Sequence, residues 1–446
     1  MGIVNQVLQL LFSLSLLIVL HELGHFIPAK LFKTRVEKFY LFFPAWFSLY
    51  KKKIGETTYG IGWLPLGGFV KIAGMVDESM DKEAMKEEPK PWEFRSKPAW
   101  QRLIIMLGGV FVNVVVAIVI YIMVMFVYGQ TVIPNKSVVD GIVVHQKGFS
   151  DAVNLKTGDK IIEINGESCE DKRFFKDVLK GIQTADSVKL LREGEELTVK
   201  LPVQLISIMK KYKDKGLIDI RRPFVVGTVD STLNAKKAGI LKGDVINSVN
   251  GQTFTYYDEF KTLITSNKGQ QIELVITRDS SVIELEALVD TSGLLGFTPL
   301  LLGTKELMAK NVYAIQHIEY DFFEAIPAGF TETKEQLEGY IQGFMKILDF
   351  KTKAYEAVGG FKAFGGMFST SWNWELIWRN TAFISIMLAF MNLLPIPALD
   401  GGHAMFLSYE LITGRKPHEK IMEYLQVAGM ILLLGLVLVV NVKDWI

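Results

Sequence analysis

The sequence predicts a polytopic α-helical membrane protein with four transmembrane helices and two α+β repeats between the second and the third. Two observations carry that expectation. Four apolar segments are long enough to cross a bilayer, or nearly so. Between the middle two, NLKTGDKIIEINGE (residues 154–167) recurs as GILKGDVINSVNGQ (residues 239–252), aligning Gly158-Asp159 with Gly243-Asp244 and Asn165-Gly166 with Asn250-Gly251. Composition agrees. At 49% hydrophobic and 22% charged, with a mean hydropathy of +0.25, the 446 residues are too apolar for an ordinary soluble chain and too charged to lie wholly in a membrane. A formal net charge of +1 gives no electrostatic reason to expect a nucleic-acid partner. Cys169 is the single cysteine, which rules out an internal disulfide and a cysteine-based zinc cluster.

Residues 1–29 form the first span. The segment has no basic leader and no small-residue cleavage site, so a retained helix is expected and not a signal peptide. Residues 30–101 make a basic loop. Residues 102–128 hold the second span and the cleanest apolar run, LIIMLGGVFVNVVVAIVIYIMVMFV. Residues 372–402 hold the third, opened by Trp372, Trp374 and Trp378 as an interfacial aromatic belt. Residues 403–446 hold a turn and the fourth. Lys30, Lys33, Arg35, Lys38, Lys51, Lys52 and Lys53 follow the first span, and Arg95, Lys97 and Arg102 precede the second. Arg415, Lys416 and Lys420 separate the third from the fourth. The positive-inside bias puts both loops in the cytoplasm and the long segment between the second and third spans outside.

Each repeat reads as a Gly-Asp turn, a short strand, an Asn-Gly hairpin turn and an amphipathic helix. Residues 129–210 and 211–292 are therefore expected to be two domains. The pattern resembles tandem PDZ domains, which take extended peptides by adding a strand to a sheet edge; a pair of rigid spacers is the plainer alternative. In residues 293–371, Leu337, Ile341, Phe344 and Leu348 recur at helical spacing, with Glu335, Glu338 and Lys346 off that face. This linker predicts an amphipathic helix lying on the membrane surface or against the repeats, with a plain surface helix of the outer domain as the alternative.

The chemistry begins in the first span, which carries His21-Glu22-Leu23-Gly24-His25. Residues four apart share a helix face, so both imidazoles can reach one metal ion, with Glu22 close enough to work on a water there. Ionisable groups at membrane depth are expensive, and without a ligand these would need other polar partners. Catalytic zinc usually takes a third protein ligand. NLLPIPALDGG (residues 392–402) offers one: Pro395 and Pro397 break the third span at membrane depth, and Asp400 follows at the depth expected for the histidines. His403 is a rival ligand, and a turn aspartate capping the next helix is the plain alternative for Asp400.

Together these residues resemble the site-2 protease family of intramembrane zinc metalloproteases, most closely its bacterial branch with paired PDZ domains, the regulator of sigma-E protease type. The likeness rests on HELGH in the first span, the repeats after the second, and Asn392, Pro395, Leu399, Asp400 and Gly401 in an N-x-x-P-x-x-x-L-D-G stretch. It implies that His21, His25 and Asp400 bind Zn2+, that Glu22 is the catalytic base, and that Asn392 and Pro395 help hold the substrate. It also implies a membrane-associated β-hairpin in YGIGWLPLGGFVKIAGM (residues 59–75), where Gly67, Gly68, Phe69 and Val70 offer an edge to an unwound substrate helix, an ordinary surface hairpin being the alternative. LGGVFVN in the second span is similar to the family's Gly-Pro-x-x-Asn element, but Val110 replaces the proline, so Asn113 is left without an assigned role.

The implied reaction is hydrolysis of a peptide bond in the transmembrane segment of single-span proteins already trimmed outside the membrane, such as anti-sigma factors or signal-peptide remnants. The implied location is the bacterial cytoplasmic (inner) membrane, with the lipid bilayer as surroundings and the PDZ domains on the extracytoplasmic (periplasmic) side. Zinc would acidify a water and polarise the scissile carbonyl, and Glu22 would carry the proton. No G-x-S-x-G element points to serine chemistry. Two other classes stay open: a PDZ-based membrane scaffold with a vestigial metal site, and a transporter relaying protons or metal through His21, Glu22 and Asp400. Zinc content, followed by cleavage of a single-span reporter, separates the three.

Overall fold

A segment in lipid has to satisfy its own backbone hydrogen bonds, and the Leu-, Ile- and Val-rich runs do so as helices. The computed structural model describes residues 2–65, 67–75, 88–212, 217–416 and 418–443. Among them, four helices are long and apolar enough to cross a membrane: Gly2–Leu31, Ala99–Tyr128, Trp374–Leu393 and Lys420–Lys443. All four belong to one compact unit, made of residues 1–129, 319–344 and 358–446. Residues 130–318 and 345–357 form a second unit.

In the first unit, polar groups join helices whose apolar faces have little reason to prefer each other over lipid. The Ser13 and Thr381 hydroxyls meet at 2.8 Å between the first and third spans, both fully buried. Ser385 Oγ donates to the Asn113 carbonyl at 2.7 Å, tying the third span to the second. The third span stops at Leu393, since Pro395 and Pro397 cannot supply the N–H groups that a continuing helix needs. Ala398 takes a left-handed φ of 80°, and a new helix, Asp400–Thr413, starts two residues on. Arg102 at the base of the second span pairs with Glu410 of that helix at 2.5 Å, both mostly buried.

The loop after the first span is more than the expected β-hairpin. It folds as a four-stranded mixed sheet: β1 (Val36–Leu41), β2 (Phe43–Ile54), β3 (Thr57–Leu64) and β4 (Phe69–Ile72), in the order β2-β3-β1-β4. β2 and β3 do form a hairpin, but it covers only one edge of β3. β1 takes the other edge in parallel, and β4 adds antiparallel to β1. Ala29, Val36, Ile72, Ile105 and Met106 bury the junction of sheet and spans.

Residues 322–344 of the helix Phe322–Leu348 also belong to this unit. They run lengthwise along the second and third spans: Phe322 meets Phe126, Gly329 sits on Ile122, and Tyr340 and Phe344 both meet Phe390. The apolar face read from the sequence is thus partly covered by the spans themselves.

In the second unit, the two repeats share one topology. Lys160–Ile164 turns through Asn165-Gly166 into Glu167–Ser168, and Val245–Val249 turns through Asn250-Gly251 into Gln252–Thr253. Both Asn-Gly pairs have positive φ at both positions, as a type I′ turn requires. Each copy buries an aspartate held by a two-pronged arginine, Asp159 by Arg192 and Asp244 by Arg278. The copies are joined through Tyr256, which stacks on Tyr313, lies under the Arg221 guanidinium and donates its hydroxyl to Asp140. Gln130–Val132 pairs with Gln316–Ile318, so the chain enters this unit and turns back on one two-stranded ribbon.

Candidate metal centre

His21 and His25 sit one helical turn apart on the first span, with ring centroids 4.9 Å apart. Asp400 opens the helix after the third span's break, where unpaired backbone N–H groups favour a negative charge. The two elements bring three donor atoms together. His21 Nε2 and His25 Nε2 are 3.3 Å apart, and Asp400 Oδ2 lies 3.4 Å from the first and 3.3 Å from the second. His403, the rival from the same helix, is not in this cluster, which consists of His21, His25 and Asp400.

These separations fit a zinc ion. Tetrahedral zinc with bonds of about 2.0–2.1 Å keeps its donors roughly 3.3–3.4 Å apart. The electrostatics fit as well. Asp400 Oδ2 is buried and, among the described residues, accepts no hydrogen bond of proper geometry. A buried carboxylate oxygen without a donor is costly unless a cation completes it.

The second span orients both imidazoles. His25 Nδ1 lies 2.8 Å from the carbonyl of Ile105, which can only accept, so the proton sits on Nδ1 and the Nε2 lone pair faces the cluster. The side chain of Asn113 lies 3.1 Å from His21 Nδ1. Glycines permit this approach. A Cβ on Gly108 would overlap the carbonyl of Gly24, and one on Gly109 would overlap His25 Nε2 and stand 2.6 Å from His21 Cε1. Only an absent side chain lets the second span lie flush over the two rings.

Of the other residues singled out from the sequence, Gly68 comes nearest. A Cβ there would stand 2.6 Å from Ile18 Cγ2 and 3.1 Å from Glu22 Cγ, so the start of β4 lies directly against the HELGH turn. Gly67 has a φ of 150° beside it, and Phe69 and Val70 begin β4. Among the described residues, no strand pairs the outer edge of β4. Asn392 is half-buried in the last turn of the third span, and Pro395 is exposed in the break that follows. The sequence left two supports unread. Ile105 acts through a backbone carbonyl, which has no sequence signature, whereas Gly24 and Gly108-Gly109 on facing spans are a readable sign of close helix approach.

Comparison with known proteins bears on this geometry. The model of peptidase family M50 matches residues 9–436. The protease RseP of Yersinia pestis is 28% identical over 475 residues, covering 98% of this chain and 98% of that protein. The regulator of sigma-E protease RseP of Escherichia coli (strain K12) is 27% identical over 448 residues, covering 96% of each. With the family model spanning nearly its whole length, the chain belongs to peptidase family M50 and is a zinc metalloprotease.

Proposed function

We propose that this metalloprotease cuts within the membrane, hydrolysing a peptide bond in the transmembrane segment of single-span proteins that have already been trimmed outside it. His21, His25 and Asp400 hold the zinc, and Glu22 is the catalytic base. The observation that carries this reading is the mutual 3.3–3.4 Å spacing of three donors around a buried carboxylate oxygen that accepts no hydrogen bond from the described residues. Zinc held there would supply Lewis acidity toward a water and the scissile carbonyl. Glu22 would accept the proton of the attacking water on its carboxylate and pass it to the departing amine nitrogen. Gly67, Gly68, Phe69 and Val70 offer the open edge of β4 to a substrate stretch pulled out of its helix, and Asn392 and Pro395 hold the substrate from the other side.

The repeats, residues 129–210 and 211–292, are PDZ domains on the extracytoplasmic side of the bacterial inner membrane, in keeping with the basic loops on the opposite side. Anti-sigma factors and signal-peptide remnants are the substrate classes proposed, the former in keeping with a relative named a regulator of sigma-E protease.

The test separates base from ligand. Glu22→Gln should abolish cleavage of a single-span reporter while stoichiometric zinc remains, and Asp400→Asn should weaken zinc retention. Robust proteolysis by Glu22→Gln would sink the mechanism. Zinc unchanged in Asp400→Asn but lost on replacing His403 would move the third ligand.

A further inference from the structure

We infer that Asn113 is a positioning residue for the metal centre: its side-chain carbonyl holds Nδ1–H of His21 whenever Nε2 faces zinc. The amide thereby decides which nitrogen of His21 the metal receives. This rests on the reading of His21 as a zinc ligand.

Asn113 is fully buried in the middle of an apolar span, where an amide is expensive unless it is bonded. Its backbone carbonyl already accepts from Ser385, so helix packing is served without the side chain. That side chain has its polar contact with His21 Nδ1 at 3.1 Å, through Nδ2, and Oδ1 is buried with no partner among the described residues. In this orientation Nδ2–H donates to Nδ1, and the imidazole must carry its own proton on Nε2. An Nε2–H cannot coordinate a metal.

Turning the amide over exchanges Oδ1 and Nδ2 and reverses the sense of the contact while the imidazole stays in place. Oδ1 then accepts Nδ1–H, and the Nε2 lone pair faces His25 Nε2 and Asp400 Oδ2. Amide oxygen and nitrogen are distinguished by their hydrogen-bond partners, and His21 is the partner that decides here. The two imidazoles are therefore held differently. His25 is fixed by the Ile105 carbonyl, which has a single role. His21 is held by a group that can serve either tautomer, so the orientation of the Asn113 amide sets which one forms. Both partners come from the second span, eight residues apart and on the face that covers the rings.

The experiment measures zinc affinity of the full-length protein by chelator competition, with the visible spectrum of the cobalt-substituted protein as a second readout. Asn113→Ala should weaken zinc roughly 10–100-fold and alter the cobalt spectrum, as loss of an outer partner to a ligating histidine does elsewhere. Asn113→Asp keeps an acceptor for Nδ1–H and should restore tight binding. An alanine variant that binds zinc like the parent, or an aspartate variant as weak as alanine, would overturn the inference; so would a cobalt spectrum unchanged in both. His21→Ala is the control: if that protein still retains stoichiometric zinc, His21 is not a ligand, and the fault lies in the site reading whatever Asn113 does.

Discussion

One methyl group is enough to test how closely the second span covers the imidazoles. Gly109→Ala would set a Cβ over His25 Nε2, and the neighbouring Gly24–Gly108 contact leaves the helices no room to separate without breaking their crossing. Zinc affinity should fall at least tenfold, about the scale of a lost outer partner, while helix content by circular dichroism stays that of the parent. Full zinc binding by this variant would mean that the spans part more easily than their packing implies. At this scale much of the centre was legible. HELGH announces itself through the four-residue spacing, and Asp400 through a proline-broken span. The carbonyl of Ile105 was not, because every residue has one and only the fold says which is aimed at a histidine.

Among the elements, β4 bears most directly on chemistry. Ala73 N–H donates to Arg35 on the β1 side, so by the two-residue alternation the N–H groups of Val70 and Ile72 face the open edge. Proline at Val70 removes an outward donor and spares the pairing with β1, an arrangement edge strands tolerate. If a substrate strand pairs there, Val70→Pro should slow cleavage by up to about tenfold, the value of one hydrogen bond of about 0.5–1.5 kcal/mol. Val70→Ala should do less, and substrates with a helix breaker near the cut should suffer less from either change. Equal losses for proline and alanine at unchanged zinc content would remove strand addition from the mechanism. The edge itself could be read from Phe69, Val70 and Ile72, whereas the parallel β1–β3 pairing could not. Phe42, the one residue between β1 and β2, takes a left-handed φ of 63°, which a bulky residue seldom adopts.

At the level of the whole molecule, the repeat was read from identical turn chemistry recurring at one offset, and each of the two segments also pairs a buried aspartate with an arginine. What joins the copies was hidden, since Asp140, Arg221, Tyr256 and Tyr313 are scattered in the chain and meet only when folded. The two-stranded ribbon makes a clean deletion possible. Replacing residues 135–313 with a short Gly/Ser linker keeps Gln130–Val132 and Gln316–Ile318 and should leave a zinc-loaded membrane unit. If the repeats exclude bulky substrates, this variant should cut untrimmed single-span proteins that the parent leaves intact, scored by gel shift of the reporter. A folded, zinc-loaded deletion that still spares them would assign the repeats another task.

The same insertion sets a clock. His25 and Asp400 stand on either side of the entire second unit, 375 residues apart in the chain. At roughly 5–20 residues per second of synthesis, the aspartate leaves the ribosome about 20–75 seconds after the histidines. For that interval the growing polypeptide carries His21, Glu22 and His25 without Asp400. If Asp400 is the third ligand, a polypeptide that stops before it should hold zinc weakly and cut none of the membrane helices around it, its own included.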